Sequence, residues 1–423
     1  MPTPSLLIVP ARFKTGKLYS QIPTSGAGDF TVTRNTTATR LNDAGVIESV
    51  ASGIPRLDYS VSGFVTGCPA LLVEPAATNE IRNNSNTNAV TGTPGTLPTN
   101  WTETLAGLTR SVIALGAENG VQYIDIRLSG TANATEAIIN FESPTQTVAS
   151  NGQVWTNSCF LKSISAPVPY TGLRLSTVER TSGGVFVASG NSPDLTLTST
   201  LNRFSFTRTL SGGGTVARVQ SRISFGLVSG TAYNFTVRIG YPQMELGSVA
   251  TSVIPTTAGT GSRSADVISV SGAVSGSIGQ TEGTVYVEVD LSNRLNGTAA
   301  ITLAKDANVS GRVIIYTNTS NRWRANYTDA SGNVVDTSAA NDSQVLGVNK
   351  LAFAYGAGGN ATVHCNGSLI ITLSGTSTFV QELRAVFLGS SNAGALFFNN
   401  RIRAAALYTT RLTNAELATL TTL

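Results

Sequence analysis

Residues 285–291 read VYVEVDL, and this segment decides the fold class of the chain. Its side chains would alternate between the two sides of a β-strand, with Val285, Val287, Val289 and Leu291 on one side and Tyr286, Glu288 and Asp290 on the other. Such alternation is typical of an antiparallel strand with one buried face and one solvated face. The segment therefore predicts an antiparallel sheet that packs one face against a hydrophobic core.

Other short segments repeat this pattern and are separated by turn-forming residues. Apolar and polar residues alternate at 123–128, 173–175 and 235–239, and the run at 211–214 reads SGGG. The pair Asn366-Gly367 is the strongest hairpin signal, because both central residues of a type I′ turn need positive φ angles. Regularly spaced strands of this kind are typical of sandwiches and jelly rolls. The chain is therefore predicted to be all-β and multidomain, with antiparallel β-sandwich or jelly-roll domains.

One short helix is predicted at the C-terminus. Thr413 and Glu416 have the spacing of a capping box, in which each side chain accepts a hydrogen bond from the other residue's backbone N–H. Leu412 and Leu417 occupy the two staple positions outside and inside the cap. The helix would close the last domain.

The composition argues against several classes of function. The chain has 423 residues, of which 12% are charged, and its only histidine is His364. One histidine excludes a zinc site built from several histidines and an H-E-x-x-H metalloprotease motif within one chain. In the hairpin at 366–367, His364 would face Leu369 across the strand pair, which favours a packed structural role.

The charge distribution and the cysteine positions argue against nucleic-acid binding, disulfide bonds and a cysteine metal site. The 28 Lys and Arg residues are scattered among 24 acidic residues, without the clusters of a nucleic-acid-binding surface. Cys68, Cys159 and Cys365 lie far apart, so neither a disulfide framework nor a C-x-x-C metal site is indicated. No segment approaches the roughly 18 apolar residues of a membrane span. We predict no nucleic-acid binding, no membrane insertion, no metal and no cofactor.

Two polar stretches divide the chain. Residues 86–100 and 256–264 are rich in Asn, Thr, Gly, Ser and Pro and have no hydrophobic periodicity, so they are predicted to be linkers. This gives three domains, at residues 1–85, 101–255 and 265–423. Deleting residues 1–83 would then leave the two later domains folded.

The N-terminal region resembles a known family. Residues 6–50, with GIPRLDY at 53–59 and GCPALLVEPAATN at 67–79, are similar to the opening module of bacteriophage virion fibre and spike proteins, particularly of Bacteroides-type phages. The family's recurring positions fall on Arg40, Gly45, Ile47, Arg56, Asp58, Tyr59, Glu74, Pro75 and Asn79. The resemblance implies that residues 1–85 are a virion-attachment module.

The later regions resemble modules of the same phage proteins. Residues 241–266, YPQMELGSVATSVIPTTAGTGSRSAD, look like the end of a carbohydrate-binding-module-like jelly roll, with Gln243 and Glu245 on its last strand. Residues 363–370 and 401–420 resemble a concanavalin-like or laminin-G-like sandwich. These sandwiches serve as sugar-binding modules, enzyme scaffolds or spacers, so the resemblance implies fold more than ligand.

The predicted glycan contacts lie in the segment NRWRANY at 321–327. Sugars stack on aromatic rings through their C–H faces and need polar partners for their hydroxyl groups. Trp323 and Tyr327 would share one strand face, with Arg322, Arg324 and Asn326 on the other, and the two rings and Asn326 are the predicted contacts. Alternatively, both rings face the core, since alternation does not say which face is inside.

Two other sets of residues are weaker candidates. Glu288 and Asp290 would project from one strand face about 6.6–7 Å apart, near the separation of an inverting glycosidase's carboxyl groups. Alternating acidic residues are also common on any strand face that is exposed to solvent. We therefore predict no catalytic residue. Asp306 and Asn308 offer oxygen atoms for Ca²⁺, but a turn-capping role is favoured because six to eight ligands would be needed.

The sequence thus predicts a non-enzymatic bacteriophage virion structural protein, a surface fibre or spike. It would be made in the bacterial host cytoplasm, assemble with other virion proteins on a head or tail, and bind host surface glycans. The family resemblance also implies a homotrimer. Two alternatives remain open at this point. One is a glycan-degrading tailspike enzyme, and the other is a purely structural capsid decoration protein.

Overall fold

A computed structural model describes residues 2–60, 68–165, 170–305, 311–328, 334–336, 344–356, 361–373 and 382–423, with the backbone alone for 334–336 and 373. The chain forms two compact units. The split domain consists of Met1–Ala76 and Ser264–Leu423, and the inserted domain consists of Ala77–Arg263.

The N-terminal part of the split domain contains the strands β1 (Leu6–Ile8), β2 (Phe13–Lys14), β3 (Lys17–Leu18), β4 (Phe30–Thr33), β5 (Ala38–Leu41), β6 (Ile47–Val50), β7 (Leu57–Asp58) and β8 (Ala70–Val73). The inserted domain contains β9 (Ala77–Asn79), β10 (Thr102–Thr104), β11 (Thr109–Glu118), β12 (Val121–Thr131), β13 (Glu136–Asn140), β14 (Thr147–Val148), β15 (Val154–Ser163), β16 (Gly172–Arg180), β17 (Phe186–Asn191), β18 (Asn202–Thr209), β19 (Arg218–Gly226), β20 (Ala232–Leu246) and β21 (Gly261–Arg263). The C-terminal part of the split domain contains β22 (Val267–Ser271), a 3₁₀ turn (Ala273–Ser277), β23 (Gly283–Leu291), β24 (Ala299–Ala304), β25 (Arg312–Thr317), β26 (Trp323–Thr328), β27 (Val334–Asp336), β28 (Gly347–Tyr355), β29 (Ala361–Cys365), β30 (Ser368–Leu373), β31 (Ala385–Leu388), β32 (Asn400–Tyr408) and the helix α1 (Asn414–Thr421).

Two large antiparallel sheets form most of the split domain, and β5 and β6 form a separate two-stranded sheet. Sheet A has the order β30-β29-β28-β23-β32-β8-β7, with β1 also paired to β32. Sheet B has the order β2-β3-β4-β22-β31-β24-β25-β26-β27. Their facing side chains form one core, which includes Leu6, Phe30, Val287, Trp323 and Ile402. The all-β antiparallel sandwich predicted from residues 285–291 is confirmed, and Val285, Val287, Val289 and Leu291 all lie in this core.

The opposite face of β23 is also covered, contrary to the simple half-buried pattern. Tyr286 belongs to a second small cluster with Leu412 and Leu417 beneath α1. The helix begins as predicted, because the Thr413 side chain accepts from the backbone N–H of Glu416 and the Glu416 side chain accepts from that of Thr413. The capped helix, with Leu417 buried, thus covers part of this face of sheet A.

The prediction of a separate module at residues 1–85 is wrong. β1 and β8 both pair with β32, and β4 pairs with β22, so strands from both parts of the split domain share the same two sheets. The polar stretch after residue 85 indicated a domain boundary, but the strands that pair with β1, β4 and β8 lie about 200 or more residues farther along the chain, where no local signal reveals them. The N-terminal segment is part of a sandwich that its own residues cannot complete.

Four buried charged side chains tie these segments of the split domain together. Arg56 donates to Glu74 Oε2 at 2.6 Å and also to Asp266, and Arg34 donates to Asp266 Oδ1 at 3.0 Å. Burial alone would lower the pKa of Arg56, but the charges of Asp266 and Glu74 raise it overall. Arg56, Glu74 and Asp266 lie in the segments 53–59, 67–79 and 241–266, which resemble the phage proteins in sequence. In this structure they stabilise the fold.

The inserted domain is a separate sandwich of two antiparallel sheets. Sheet C has the order β10-β13-β19-β16-β17, with β14 paired to β19, and sheet D has the order β11-β12-β20-β15-β18. Their core includes Ile139, Leu175, Ile223, Phe225 and Phe235. Gln243 and Glu245 lie near the end of β20, as predicted for the last long strand of a jelly roll.

The first predicted linker does not connect separate domains, whereas the second ends at the boundary between the two units, which falls after Arg263. Within 86–100, Val90 and Thr96 form a β-bridge, and Leu97 packs against the core of the inserted domain. Within 256–264, the Thr256 hydroxyl donates to the Ile81 carbonyl at 2.7 Å, and β21 pairs with β9. Polar composition marked both segments as linkers, but here their polar groups bind the domain's own backbone.

Candidate functional site

The predicted glycan contacts are in the core. Trp323 and Tyr327 are both 0% exposed, and Asn326 is 6% exposed. The Trp323 Nε1 group donates to Asn349 Oδ1 at 3.2 Å, and its ring lies 6.5 Å from that of Phe398. The aromatic face of β26 is therefore its inner face, and the prediction that these rings meet a sugar is wrong.

We expect Trp323→Ala to lower the free energy of unfolding of the split domain by about 3–5 kcal/mol, because the large ring leaves a cavity. Phe13→Ala is a matched control in the same domain, since Phe13 is 37% exposed, and should cost less than about 1 kcal/mol. Thermal and urea unfolding of both variants measures the difference. If both variants lost the same small amount of unfolding free energy, the result would contradict the buried position of Trp323.

The other candidates from the sequence do not form a reactive cluster in the described ranges. Glu288 accepts from the Tyr286 hydroxyl at 3.0 Å and pairs with Arg403 at 3.0 Å, whereas Asp290 is 1% exposed. His364 lies opposite Leu369 and is 2% exposed, in agreement with the packed position predicted by the hairpin. Asp306 and Asn308 lie outside the described residues.

No group of three or more His, Cys, Asp and Glu residues in the described ranges could hold a metal ion. The helices of those ranges likewise include none long and apolar enough to cross a membrane.

The outer face of sheet C is the strongest candidate site. In β16 and β19 the alternate residues Leu173, Leu175, Ile223 and Phe225 lie in the core, so the residues between them point outward. We call this outer surface the arginine face. It comprises Glu136, Ile138 and Asn140 of β13, Arg174, Ser176, Val178 and Arg180 of β16, Arg218, Gln220, Arg222 and Ser224 of β19, and Phe186 of β17.

Strand pairing brings these side chains into rows across the sheet. Asn140, Arg222 and Ser176 are neighbours in one row. Farther along the strands, Arg218 lies opposite Arg180, and Arg180 lies opposite Phe186. Residues about 40 positions apart in sequence thus become adjacent only through the order β19-β16-β17.

One aromatic ring of the arginine face is accessible. Phe186 is 57% exposed, and its neighbour Val187 packs against the core, so the Phe186 ring points away from it. Arg180 Nη1 donates to the Gly184 carbonyl at 3.0 Å, which holds its guanidinium next to the segment that leads into Phe186. A flat apolar ring and a forked donor therefore lie side by side.

Several polar atoms of the arginine face have unused hydrogen-bonding capacity. Among the described residues, no partner is found for the buried atoms Arg222 Nε, Arg218 Nε, Ser176 Oγ and Asn140 Oδ1. Ser176 is 0% exposed and Arg222 has 14% of its side chain exposed, so the Ser176 hydroxyl is buried and the Arg222 side chain is only partly accessible. Buried polar atoms without partners are uncommon in folded proteins and each calls for an explanation.

The charge on the arginine face is unevenly balanced. Glu136 lies 3.9 Å from Arg222, and Asp194 accepts from Arg174 Nε at 2.6 Å. Four arginines less these two acids leave a net charge of +2. Burial lowers the pKa of Arg180, and the positive charge of Arg222 lowers it further.

A cavity of about 340 Å³ opens at one end of this face. Glu136, Arg174 and Ser224 line it, together with Thr135, Thr171, Gly172 and Gly226. A Cβ atom at Gly172 would lie 2.7 Å from Asp194 Oδ1, so the glycine allows Asp194 to approach and orient Arg174. The site is open, and its groups can donate and accept hydrogen bonds and bind anions.

A second cavity of about 430 Å³ lies beside residues 95–103. Arg110 lines it but is held by Glu103 and by the carbonyl groups of Pro94 and Gly95 at 2.9 and 3.0 Å. The two charged side chains that line this cavity, Arg110 and Glu103, therefore already bind each other, and Arg110 also holds the segment at residues 94–95.

Sequence reasoning missed the residues of the arginine face. The alternation at Leu173-Arg174-Leu175 was visible and correctly predicted that Arg174 and the leucines point to opposite sides. The alternation of RVQSRISFG at 218–226 offered the same signal. Neither segment says that β16 and β19 are neighbours, so a shared site did not follow from the sequence.

Comparisons with known proteins give distant similarities. No family model matches the chain, and no curated protein matches it. Similar solved structures include the CBM40 of the Ruminococcus gnavus IT-sialidase, with 18% identity and a TM-score of 0.29 over 34% of this chain and 83% of that one. Domain 4 of AbnA, a GH43 extracellular arabinanase from Geobacillus stearothermophilus, has 18% identity and a TM-score of 0.30 over 37% of this chain and 73% of that one. A SAP-like pentraxin from Limulus polyphemus has 14% identity and a TM-score of 0.25 over 33% and 70%. At these scores the similarities assign neither a family nor a ligand.

Proposed function

We propose that this protein binds glycans through the arginine face of the inserted domain and does not cleave them. The observation behind this proposal is that an exposed ring, Phe186, lies opposite Arg180 in a row that continues to Arg218, whose Nε atom has no hydrogen-bond partner among the described residues. A pyranose can stack its C–H face on the ring while its hydroxyl groups bind the polar side chains. This arrangement replaces the predicted contacts at Trp323 and Tyr327.

A wider role as a bacteriophage virion fibre or spike is also proposed, and its support is the resemblance of the N-terminal sequence. The chain would then be made in the bacterial cytoplasm, join other virion proteins on a head or tail, and contact the host surface. Several copies, as in a homotrimer, would raise the effective concentration of sites at a glycan-coated surface. This would compensate for an open site that binds one glycan weakly.

The glycan-degrading enzyme is less well supported. Glu288 and Asp290 engage other groups or are buried, and the two carboxylates near the cavity, Glu136 and Asp194, each pair with an arginine. Glycoside hydrolysis generally needs two carboxyl groups flanking the scissile bond. We therefore expect the intact protein to release no reducing sugar from a glycan that it binds.

The test is binding of the full-length chain to a printed array of neutral and acidic glycans. For a glycan retained by the wild type, we expect Phe186→Ala to weaken binding by about tenfold or more, because the stacking surface is lost. Its melting temperature should change little, since the ring is largely exposed. Leu246→Ala is a matched control, because Leu246 is 59% exposed at the end of β20 in sheet D, and it should bind like the wild type.

Three outcomes would overturn this assignment. The first is that the wild type retains no glycan on the array, the second is that Phe186→Ala and Leu246→Ala bind equally well, and the third is that both lose binding to the same extent. Release of reducing sugar would instead support the enzymatic alternative.

A further inference from the structure

The arginine face has a feature that glycan binding alone does not explain. Arg180 and Arg218 are direct neighbours on adjacent antiparallel strands and point to the same side. Like charges at directly opposite positions destabilise a strand pair. Arg222, two positions before Ser224 on β19, adds a third positive charge that lowers the pKa of Arg180.

The acidic residues of this face lie toward its other end. Glu136 and Asp194 are near Arg222 and Arg174, respectively. Within the described part of the chain, neither Arg180 nor Arg218 forms an ion pair with an acidic side chain. Arg180 Nε instead donates to the neutral Gln220 Oε1 at 2.7 Å. Two neighbouring arginine side chains therefore lack an acidic partner among the described residues.

We infer that the glycan bound at this face is acidic and that its carboxylate groups bind Arg180 and Arg218. This inference rests on the proposed glycan-binding function and names the class of glycan. The planar guanidinium group matches a carboxylate through two parallel hydrogen bonds. Phe186, opposite Arg180, offers the ring on which the same sugar residue stacks, while Arg222 lies two outward-facing rows farther along β19, where a later residue of the glycan would reach it.

A nucleic acid fits these observations less well. Proteins that hold nucleic acids usually neutralise several phosphates along a basic stripe, typically six to ten in duplex binding. Here the basic groups comprise four arginines, two of which have acidic neighbours. The most exposed apolar group of the face is the Phe186 ring, which suits the C–H face of a sugar.

The test uses polygalacturonate and the same polymer after its carboxyl groups have been reduced to alcohols. We expect the full-length protein to bind polygalacturonate and to bind the reduced polymer at least tenfold more weakly. Arg180→Gln and Arg218→Gln should each weaken binding of the acidic polymer by about tenfold or more. Arg127→Gln is the matched control, since Arg127 lies on β12 of sheet D and donates to Asn234 at 2.7 Å, and it should leave binding unchanged.

Two further probes distinguish the source of the negative charge. Dextran sulfate carries sulfate groups on a sugar chain, and a single-stranded DNA oligonucleotide carries phosphates without the sugar stacking surface. Both should bind more weakly than polygalacturonate at 0.15 M salt, where unspecific attraction between charges is screened. Thermal melts of every variant establish that it is folded, and Arg218→Gln offers a second variant if Arg180→Gln does not fold.

The outcomes separate this inference from the proposed function. Equal binding of both polymers, with Phe186→Ala still weakened, would overturn the acidic ligand and leave glycan binding standing. Equal or tighter binding of DNA or dextran sulfate would overturn it in favour of a general anion patch. Failure to bind any glycan, on the array or in solution, would overturn both.

Discussion

Removal of residues 1–76 should unfold the split domain. The deletion takes β1 and β8 away from β32 and β4 away from β22, which leaves unpaired strand edges in both sheets. It also removes Leu6 and Phe30 from the core, and these residues are 1% and 0% exposed. The free energy lost with several core strands exceeds the roughly 5–15 kcal/mol by which a folded domain is usually more stable than its unfolded chain.

The measurement is calorimetry of three proteins, namely the full chain, residues 77–423 and residues 77–263. We expect residues 77–423 to show only the transition of the inserted domain and residues 77–263 to show that same transition. A second cooperative transition in residues 77–423 would mean that residues 264–423 fold alone. It would restore the three-domain organisation predicted from the polar breaks.

Substitution of Asp266 by alanine should have the largest effect of any single change in the buried ion cluster. Asp266 binds Arg34 and Arg56, and all three side chains are almost completely buried. Without the carboxylate, two guanidinium groups lose a partner inside the domain. Breaking a buried ion pair by removing one partner typically costs about 3–5 kcal/mol.

Urea unfolding of the split domain measures this cost. Asp43→Ala is the matched control, because Asp43 is exposed in the turn between β5 and β6, and it should change stability by no more than about 0.5 kcal/mol. If Asp266→Ala unfolds at the same urea concentration as Asp43→Ala, the cluster does not stabilise the domain as its geometry indicates.

The motif residues of the phage-like segments acquire a physical role from these contacts. Arg56 and Glu74 bind each other, and Asp58 accepts from the Leu41 backbone and pairs with Arg401 at 2.7 Å. Asn79 accepts from the backbone of Ile81 and Met244. Residues that the resemblance placed in an attachment module thus hold strands in place, and attachment to a particle remains a proposal.

The sequence by itself determined the local structure. The alternation at 285–291 correctly placed its apolar residues in a core, and the capping box correctly placed the start of α1. The turn at Asn366-Gly367 has the positive φ angles, 49° and 82°, that were expected of it. These features depend on residues close together in the chain, so each carries its own signal.

Only the tertiary structure decided which strand faces are covered and which strands are neighbours. Alternation puts Trp323 and Tyr327 on one side of β26, but the inner side is set by where sheet A packs, and this buried both rings. Likewise, Arg180 and Arg218 become adjacent only when β16 pairs with β19. The pairing of distant strands depends on the summed burial and hydrogen bonding of whole sheets, and no short segment encodes that sum.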